Sequence, residues 1–330
     1  MESIGVGVVG FWHVHANDYA RDTVRHPDTA LVGGWDPDPE IAGDGAAVLG
    51  IQLSDSFDEL LARPDVDAVT VTTATSQHTE VIRRAIRAGK HVFTEKLLAA
   101  TVEDCEQLAA EAREAGVALV VSLPRLSEPY TVAIRELIRD GALGDVTYAR
   151  VRMAHDGWLG GWLPERFGDP EQAIGGAFSD LGCHPAYLVQ LFLGDHPTTV
   201  TAAYTSHTGH AVEDNAVVVS RYAGGALGVA EASFVTTPGA FTIEVRGTEA
   251  TLLYGVGRDA LTAKGGRFGD AWTDVPLPAP ETAPFDLWVD AIRGRADAAA
   301  NVAAATGLTR LVVAANRSAA EGRAIPYDTH

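Results

Sequence analysis

Three groups of residues in this chain are of a type and spacing that could do chemistry. The stretch IGVGVVGFWHVHANDY, Ile4 to Tyr19, spells G-x-G-x-x-G at Gly5, Gly7 and Gly10 and sets His13 and His15 directly after it. A glycine turn between strand and helix lets backbone N–H groups approach a pyrophosphate, whereas His-x-His at a strand end can ligate a divalent metal. Asp36 closes the next predicted strand, near the ~20-residue spacing at which a carboxylate accepts from an adenosine ribose and repels a 2′-phosphate. A turn-forming Asp36-Pro37-Asp38 is its plainer reading. Asp180 and His184 stand i, i+4, so a helix would project both from one face. His184, with an ordinary pKa of ~6.5, could then take the proton of an alcohol; an N-capping Asp and a core His is the alternative. Trp158 and Trp162 in GWLGGW could stack on a sugar ring or pack a loop, and Cys183 reads as a small buried residue.

The register of the glycine turn decides which residues face a ligand. With Gly5 as first glycine, only four residues precede the turn and Val6, Val8 and Val9 fall outside the strand. With Gly10 first, Ile4 to Val9 is a buried strand and the loop is Gly10-Phe11-Trp12-His13-Val14-His15. The second and third glycine positions then hold Trp12 and His15. Trp12 keeps a backbone N–H for a phosphate, and His15 loosens helix packing.

These residues need a scaffold. β-Branched runs at Ile4–Gly10, Ala30–Trp35, Ala68–Thr73, His91–Glu95 and Val117–Ser122 alternate with helical patterns near Asn17–Arg25, Pro39–Leu49, Phe57–Ala62, Thr79–Ala88 and Val102–Ala115, the rhythm of a parallel sheet. Thr101 is the predicted N-cap of the last helix and Gly116 its stop. After Ser122 come a helix at Pro129–Asp140 and strands at Val146–Ala154, Thr199–Ser206, Asn215–Tyr222, Leu227–Phe234, Phe241–Arg246 and Thr251–Tyr254. Helices are predicted near Phe178–Leu193, Pro284–Arg293 and Ala303–Glu321. The expectation is an α/β Rossmann domain over 1–122 and an α+β domain over 123–330 with a large, open, mostly antiparallel sheet.

A net charge of −19 argues against nucleic-acid binding. No run approaches the ~20 apolar residues of a membrane span, and the N-terminal stretch has no export-signal pattern. Two cysteines far apart, Cys105 and Cys183, fit a reducing cytoplasm.

The segments DVDAVTVTTATSQHTEVIRRAIRAGKHVFTEK (Asp65 to Lys96), LIRDGALGDV (Leu137 to Val146), GGAFSDLGCH (Gly175 to His184) and EVRGTEATL (Glu244 to Leu252) resemble the Gfo/Idh/MocA oxidoreductase family in order and spacing. The resemblance implies a Rossmann domain, a C-terminal sheet that mediates homodimers or homotetramers, and NAD more readily than NADP. It implies a hydride exchange with a secondary alcohol of a sugar, cyclitol or related polyol. The family's E-K-P motif stands here as Glu95-Lys96-Leu97, and its D-x-x-x-H pair as Asp180 and His184, with Tyr187 where many members have Asp. Lys96 is thereby implied to orient the substrate oxygen, His184 to act as base and Asp180 to anchor substrate. Thr73, His78, Glu95 and Lys96 are implied to line the cofactor with Gly10, Phe11, Trp12, His13 and Asp36. Arg125 matches an arginine often found at the domain junction in the family, and it joins Trp158 and Trp162 as a candidate substrate residue. Three alternatives stand beside this reading. They are an NAD-retaining glycosidase or lyase of the same family, a non-catalytic sensor, and a metal-dependent hydrolase using His13 and His15. The last needs further ligands on an eightfold βα pattern that the second half does not supply, and no metal is expected.

Overall fold

The computed structural model describes residues 2–327. The described residues divide into two compact units, one of residues 2–123 with 282–309, the other of 124–281 with 310–327. The division departs from a single cut at residue 122, because the segment 282–309 packs with the first unit.

The first unit holds strands β1 (Ile4–Val9), β2 (Thr29–Trp35), β3 (Ala68–Val71), β4 (His91–Thr94) and β5 (Leu119–Val121), and helices α1 (Ala16–Arg25), α2 (Pro39–Leu49), α3 (Phe57–Ala62), α4 (His78–Arg87) and α5 (Val102–Ala115). The strands form one parallel sheet in the order β2-β1-β3-β4-β5. Every residue of β1 is buried, as expected of a parallel strand covered on both faces. Strand order reverses about β1, and ligands of such sheets bind outside the carboxyl ends at that switch point. Thr101 caps α5 by accepting from the Asp104 N–H at 3.1 Å, and Gly116 ends it at φ 69°.

Two features explain why residues 282–309 belong here. Phe285, Trp288 and Val289 are buried against Ile4, Val6, Tyr19, Phe93 and Val120. Asn301 receives the Val121 N–H on its Oδ1 at 2.8 Å and donates from Nδ2 to the Val121 carbonyl at 2.9 Å. Its amide pairs with β5 as a neighbouring strand would, so this edge of the sheet is blunted.

The second unit begins with α6 (Pro129–Arg139) and continues through β6 (Val146–Ala154), α7 (Pro170–Ala173), α8 (Cys183–Leu193), β7 (Thr199–Thr205), β8 (Asn215–Arg221), β9 (Leu227–Ser233), β10 (Ala240–Gly247), β11 (Ala250–Tyr254), β12 (Leu261–Gly265) and β13 (Thr273–Asp274). Later come α9 (Pro284–Ile292), which lies in the first unit, α10 (Ala299–Glu321) and β14 (Ile325–Pro326). Nine strands form one sheet in the order β13-β12-β11-β10-β6-β9-β8-β7-β14. Among the described residues of this sheet, only the β6–β9 pairing is parallel. Burial along β8 alternates, the mark of a sheet with one packed and one open face. Strands β12, β13 and β14, short or flanked by glycine, lacked a clear period in the sequence.

Candidate active site

The first unit gathers its reactive residues at the carboxyl ends of β1, β2, β3 and β4. Gly10 leaves β1 at φ 87°, and a Cβ there would lie 2.4 Å from the Thr73 nitrogen. Only glycine fits, which selects the register with Gly10 first. Gly5 lies inside β1, where a Cβ would meet the Asp65 carbonyl oxygen at 1.8 Å. The Gly10 turn is held by its own N–H to the Trp35 carbonyl at 2.8 Å and by the Thr72 hydroxyl to the Gly10 carbonyl at 2.5 Å. Asp36 accepts the Phe11 N–H at 2.5 Å and the Asp38 N–H at 2.7 Å. The carboxylate thus ties the two strand ends together.

Beyond the turn, Trp12 and His13 are buried. His13 donates its N–H to the Thr72 carbonyl at 3.0 Å, and its Nδ1 accepts the His15 N–H at 3.2 Å. The side chain of His13 therefore caps the approach to α1. His15, at the N-cap position, makes no side-chain cap bond.

Glu95 and Lys96 follow β4 and are both buried. Lys96 Nζ lies 3.0 Å from Glu95 Oε1. That oxygen lacks a partner with hydrogen-bond geometry, so the contact is an ion pair off the bonding direction. Oε2 receives the Tyr19 hydroxyl and lies 3.4 Å from His15 Nδ1. Burial pushes the Glu95 carboxyl up, but the charges of Lys96, His13 and His15 outweigh it and hold the group well below the usual carboxylate range. The pair is a fixed anion beside a hydrogen-bond donor. His13, His15 and Glu95 also offer ligand atoms within 4.8 Å of one another. A divalent cation would have to compete with the Lys96 ammonium and the Tyr19 hydroxyl already on that carboxylate.

His78 is fully buried, its Nδ1 2.6 Å from the Leu97 carbonyl and its Nε2 3.2 Å from that of Thr73. Two facing carbonyls suit an imidazolium, yet burial drives the pKa down to about 4. The geometry reconciles with a neutral ring that donates through Nδ1, the shorter contact. His78 thus clamps the loops after β3 and β4 from beneath, and the Lys96–Leu97 peptide that it braces is cis.

In the second unit, Asp180 does not lie on a helix. Helix α8 starts at Cys183, and Asp180 belongs to the preceding turn, where its N–H reaches the Gly176 carbonyl at 3.1 Å. The cause is Gly175 and Gly176: a Cβ on Gly176 would meet the Glu213 carbonyl oxygen at 2.1 Å. The Glu213 carboxylate accepts from Gly176 at 3.0 Å and Phe178 at 2.9 Å and pins this turn. His184 is buried in the first turn of α8, with Nδ1 2.8 Å from the Tyr187 hydroxyl, which accepts the Arg125 N–H at 3.1 Å. Cys183 is buried and passes its thiol hydrogen to the Ser179 carbonyl. The Arg125 guanidinium is committed to the Tyr130 hydroxyl at 2.9 Å and to the Phe241 ring at 4.4 Å.

The two tryptophans part company. Trp158 is stacked on His210 with centroids 3.9 Å apart. Trp162 is exposed, packs on His155 at 4.6 Å and donates from Nε1 to Asp156 at 3.2 Å. Sequence reasoning missed Tyr19, His155 and Glu213. Tyr19 and Glu213 act through partners 76 and 37 residues away, and the ring of His155 packs on Phe234 of another strand end, so no local spacing signals them.

A dinucleotide fits the first unit on three counts. Gly10 ends β1 in a tight turn that only glycine allows, Thr73 Oγ1 beside it is buried without a hydrogen-bond partner among the described residues, and Asp36 presents a carboxylate at the end of β2. Residues 4–123 match the oxidoreductase family's NAD-binding Rossmann fold, and residues 131–253 match the GFO/IDH/MocA C-terminal domain. The chain belongs to the Gfo/Idh/MocA oxidoreductases. Among similar Gfo/Idh/MocA-type proteins is the 1,5-anhydro-D-fructose reductase of Ensifer adhaerens, 37% identical over 63% of this chain and 62% of the reductase. The match thus spans less than two thirds of that relative. The scyllo-inositol 2-dehydrogenase (NAD(+)) of Bacillus subtilis is 29% identical over 80% of this chain and 77% of its own. The crystal structure of GenD2 from gentamicin A biosynthesis, in complex with NAD, superposes with a TM-score of 0.84 at 29% identity, covering 100% of this chain and 97% of that one. Among the described residues, no helix is long and apolar enough to cross a membrane.

Proposed function

We propose that the protein is an NAD-dependent oxidoreductase that exchanges a hydride with a secondary alcohol of a sugar, cyclitol or related polyol. The observation that carries this reading is the buried Glu95–Lys96 pair on the same sheet end as the Gly10 turn and Asp36. The named activities of the reductase and the inositol dehydrogenase support the substrate class.

Nicotinamide supplies the hydride acceptor or donor when bound. Gly10, Phe11, Trp12 and His13 offer backbone to the phosphates, and Asp36 favours a free ribose over a 2′-phosphate, hence NAD over NADP. Thr73 supplies its unpartnered hydroxyl to the same cofactor. Glu95 keeps a cation beside it, which suits Lys96 to donating a hydrogen bond to the substrate oxygen rather than to removing a proton. His184 takes that proton as general base and Asp180 anchors a neighbouring hydroxyl. His78 supports the loop that carries Lys96. Among the residues implied to touch substrate, Trp162 is the aromatic with an exposed ring, whereas Trp158 is stacked on His210 and Arg125 is held by Tyr130 and Phe241. The protein is proposed to work in the cytoplasm as a homodimer or homotetramer joined through the nine-stranded sheet.

Titration with NADH and with NADPH, followed by fluorescence, tests the cofactor. Tight binding of NADH and weak binding of NADPH are expected, and binding of neither removes the reading. Turnover is then sought with 1,5-anhydro-D-fructose plus NADH and with scyllo-inositol plus NAD. Net change in NADH absorbance is the expected signal, because a transient redox cycle would return the cofactor unchanged.

A further inference from the structure

The end of β6 carries a histidine that the roles above leave unused. His155 follows Ala154, and its backbone is fixed on both sides, N–H to the Ser233 carbonyl at 2.9 Å and carbonyl to the Thr236 N–H at 3.0 Å. Its ring lies against Phe234, centroids 5.0 Å apart and planes 10° from parallel, with Trp162 on its other flank at 4.6 Å. Gly157 allows this: a Cβ there would fall 2.9 Å from His155 Cε1.

The same close approach sets the tautomer. The Gly157 backbone N–H points at His155 Nδ1 from 3.0 Å. An amide N–H only donates, so Nδ1 must present its lone pair and the neutral ring carries its hydrogen on Nε2. Burial lowers the pKa of His155, with Asp180 and Asp156 offsetting part of that effect, so the ring is neutral in the working range. Nε2 makes no hydrogen bond among the described residues and is not sealed from solvent. The carboxylate that acts on it most strongly is Asp180.

We propose that His155 is a substrate-reading residue: a rigid, neutral Nε2–H donor that recognises a ring-ether or carbonyl oxygen of a sugar. An Nε2–H that only donates is satisfied by an oxygen that bears no hydrogen. The exposed Trp162 ring at the flank of His155 supplies an apolar surface for the face of such a ring. The selection rests on the sugar-oxidoreductase reading above, whereas the tautomer does not.

The experiment separates the two. In ¹⁵N-labelled full-length protein loaded with NADH, the His155 ring, assigned by its disappearance in His155→Phe, is expected to show an unprotonated Nδ1 and a protonated Nε2 across neutral pH. A protonated Nδ1 overturns the proposal. His155→Phe keeps the aromatic stack and loses the donor. It is expected to bind NADH as wild type does and to raise the KM for 1,5-anhydro-D-fructose by about 10-fold, the usual worth of one lost hydrogen bond, with kcat little changed. His155→Gln, which retains a donor, should recover most of that loss. An unchanged KM in His155→Phe, with wild-type turnover intact, overturns the role in selection. If the wild type turns over neither sugar nor cyclitol, the substrate class above falls. His155 is then judged by its Nε2 resonance, which must shift when 1,5-anhydro-D-fructose is added to saturation, and its constancy overturns the proposal.

Discussion

Lys96 and Glu95 are worth considering as a unit, because burying one charge commits the chain to the other. Lys96→Met is expected to leave NADH affinity within a few-fold and to lower kcat by about 100-fold or more, the range for removing a positioned donor or proton-transfer group. The same change strands a buried carboxylate and should cost about 3 kcal/mol in denaturant unfolding. Adding Glu95→Gln removes the stranded charge, so the double variant should be more stable than Lys96→Met while remaining inactive. A double variant no more stable than the single would mean that Glu95 is not held as an anion by Lys96. His78 makes a separate prediction. Its pKa is depressed in the folded chain from 6.5 to about 4, so the unfolded chain binds the extra proton first. Stability from this group is complete above pH ~6.5 and falls as the pH drops toward ~4, by about 3 kcal/mol in all. His78→Asn keeps a donor for Leu97 and cannot titrate. The variant's unfolding midpoint should decline less steeply with acid than the wild type's, and parallel curves would remove His78 from the account.

At the scale of elements, the turn after β1 is where the sequence spoke clearly once read physically. Val6, Val8 and Val9 need a strand, which leaves Gly10 as the turn, and the structure agrees: a Cβ there would sit 2.4 Å from the Thr73 nitrogen at a backbone φ of 87°. Gly10→Ala is therefore expected to lose NADH binding and to destabilise the first unit, whereas Gly7→Ala, whose Cβ would make ordinary contact with Leu60 at 3.4 Å, should be mild. Comparable thermal unfolding and NADH titration of the two variants would refute the distinction. The i, i+4 spacing of Asp180 and His184 was legible, as was the helix that carries His184, but its start at Cys183, after Asp180, was not. Nothing local says that Gly176 must sit against Glu213, 37 residues away, and that contact keeps Asp180 in a turn. Tyr19 on Glu95 and Gly157 on His155 were hidden for related reasons. A side chain's partner across the sheet is set by tertiary packing, and a tautomer by which backbone N–H faces the ring.

The whole molecule raises the question of what covers the open face of the nine-stranded sheet. Both of its edges end in two-residue strands, β13 and β14, the latter containing Pro326, a pattern that discourages edge-to-edge pairing. The open face has no such protection. Val217 and Leu227 are 41% and 39% exposed on β8 and β9, and Val217 stands opposite Glu231 in the ladder. Glu231 in turn accepts both arms of Arg150 on β6, at 3.0 and 2.8 Å. Apolar side chains interleaved with paired charges suit a self-complementary surface, since a two-fold axis brings each patch onto its own copy. The proposed homo-oligomer should therefore depend on this face. Val217→Glu with Leu227→Lys places charges at both apolar positions, where the solvated monomer tolerates them. Sedimentation at micromolar concentration is expected to give a dimer or tetramer for the wild type and a folded monomer for the double variant, with NADH binding retained because Gly10 and Asp36 belong to the other unit. A monomeric wild type, or a double variant that still assembles, would move the interface away from the sheet.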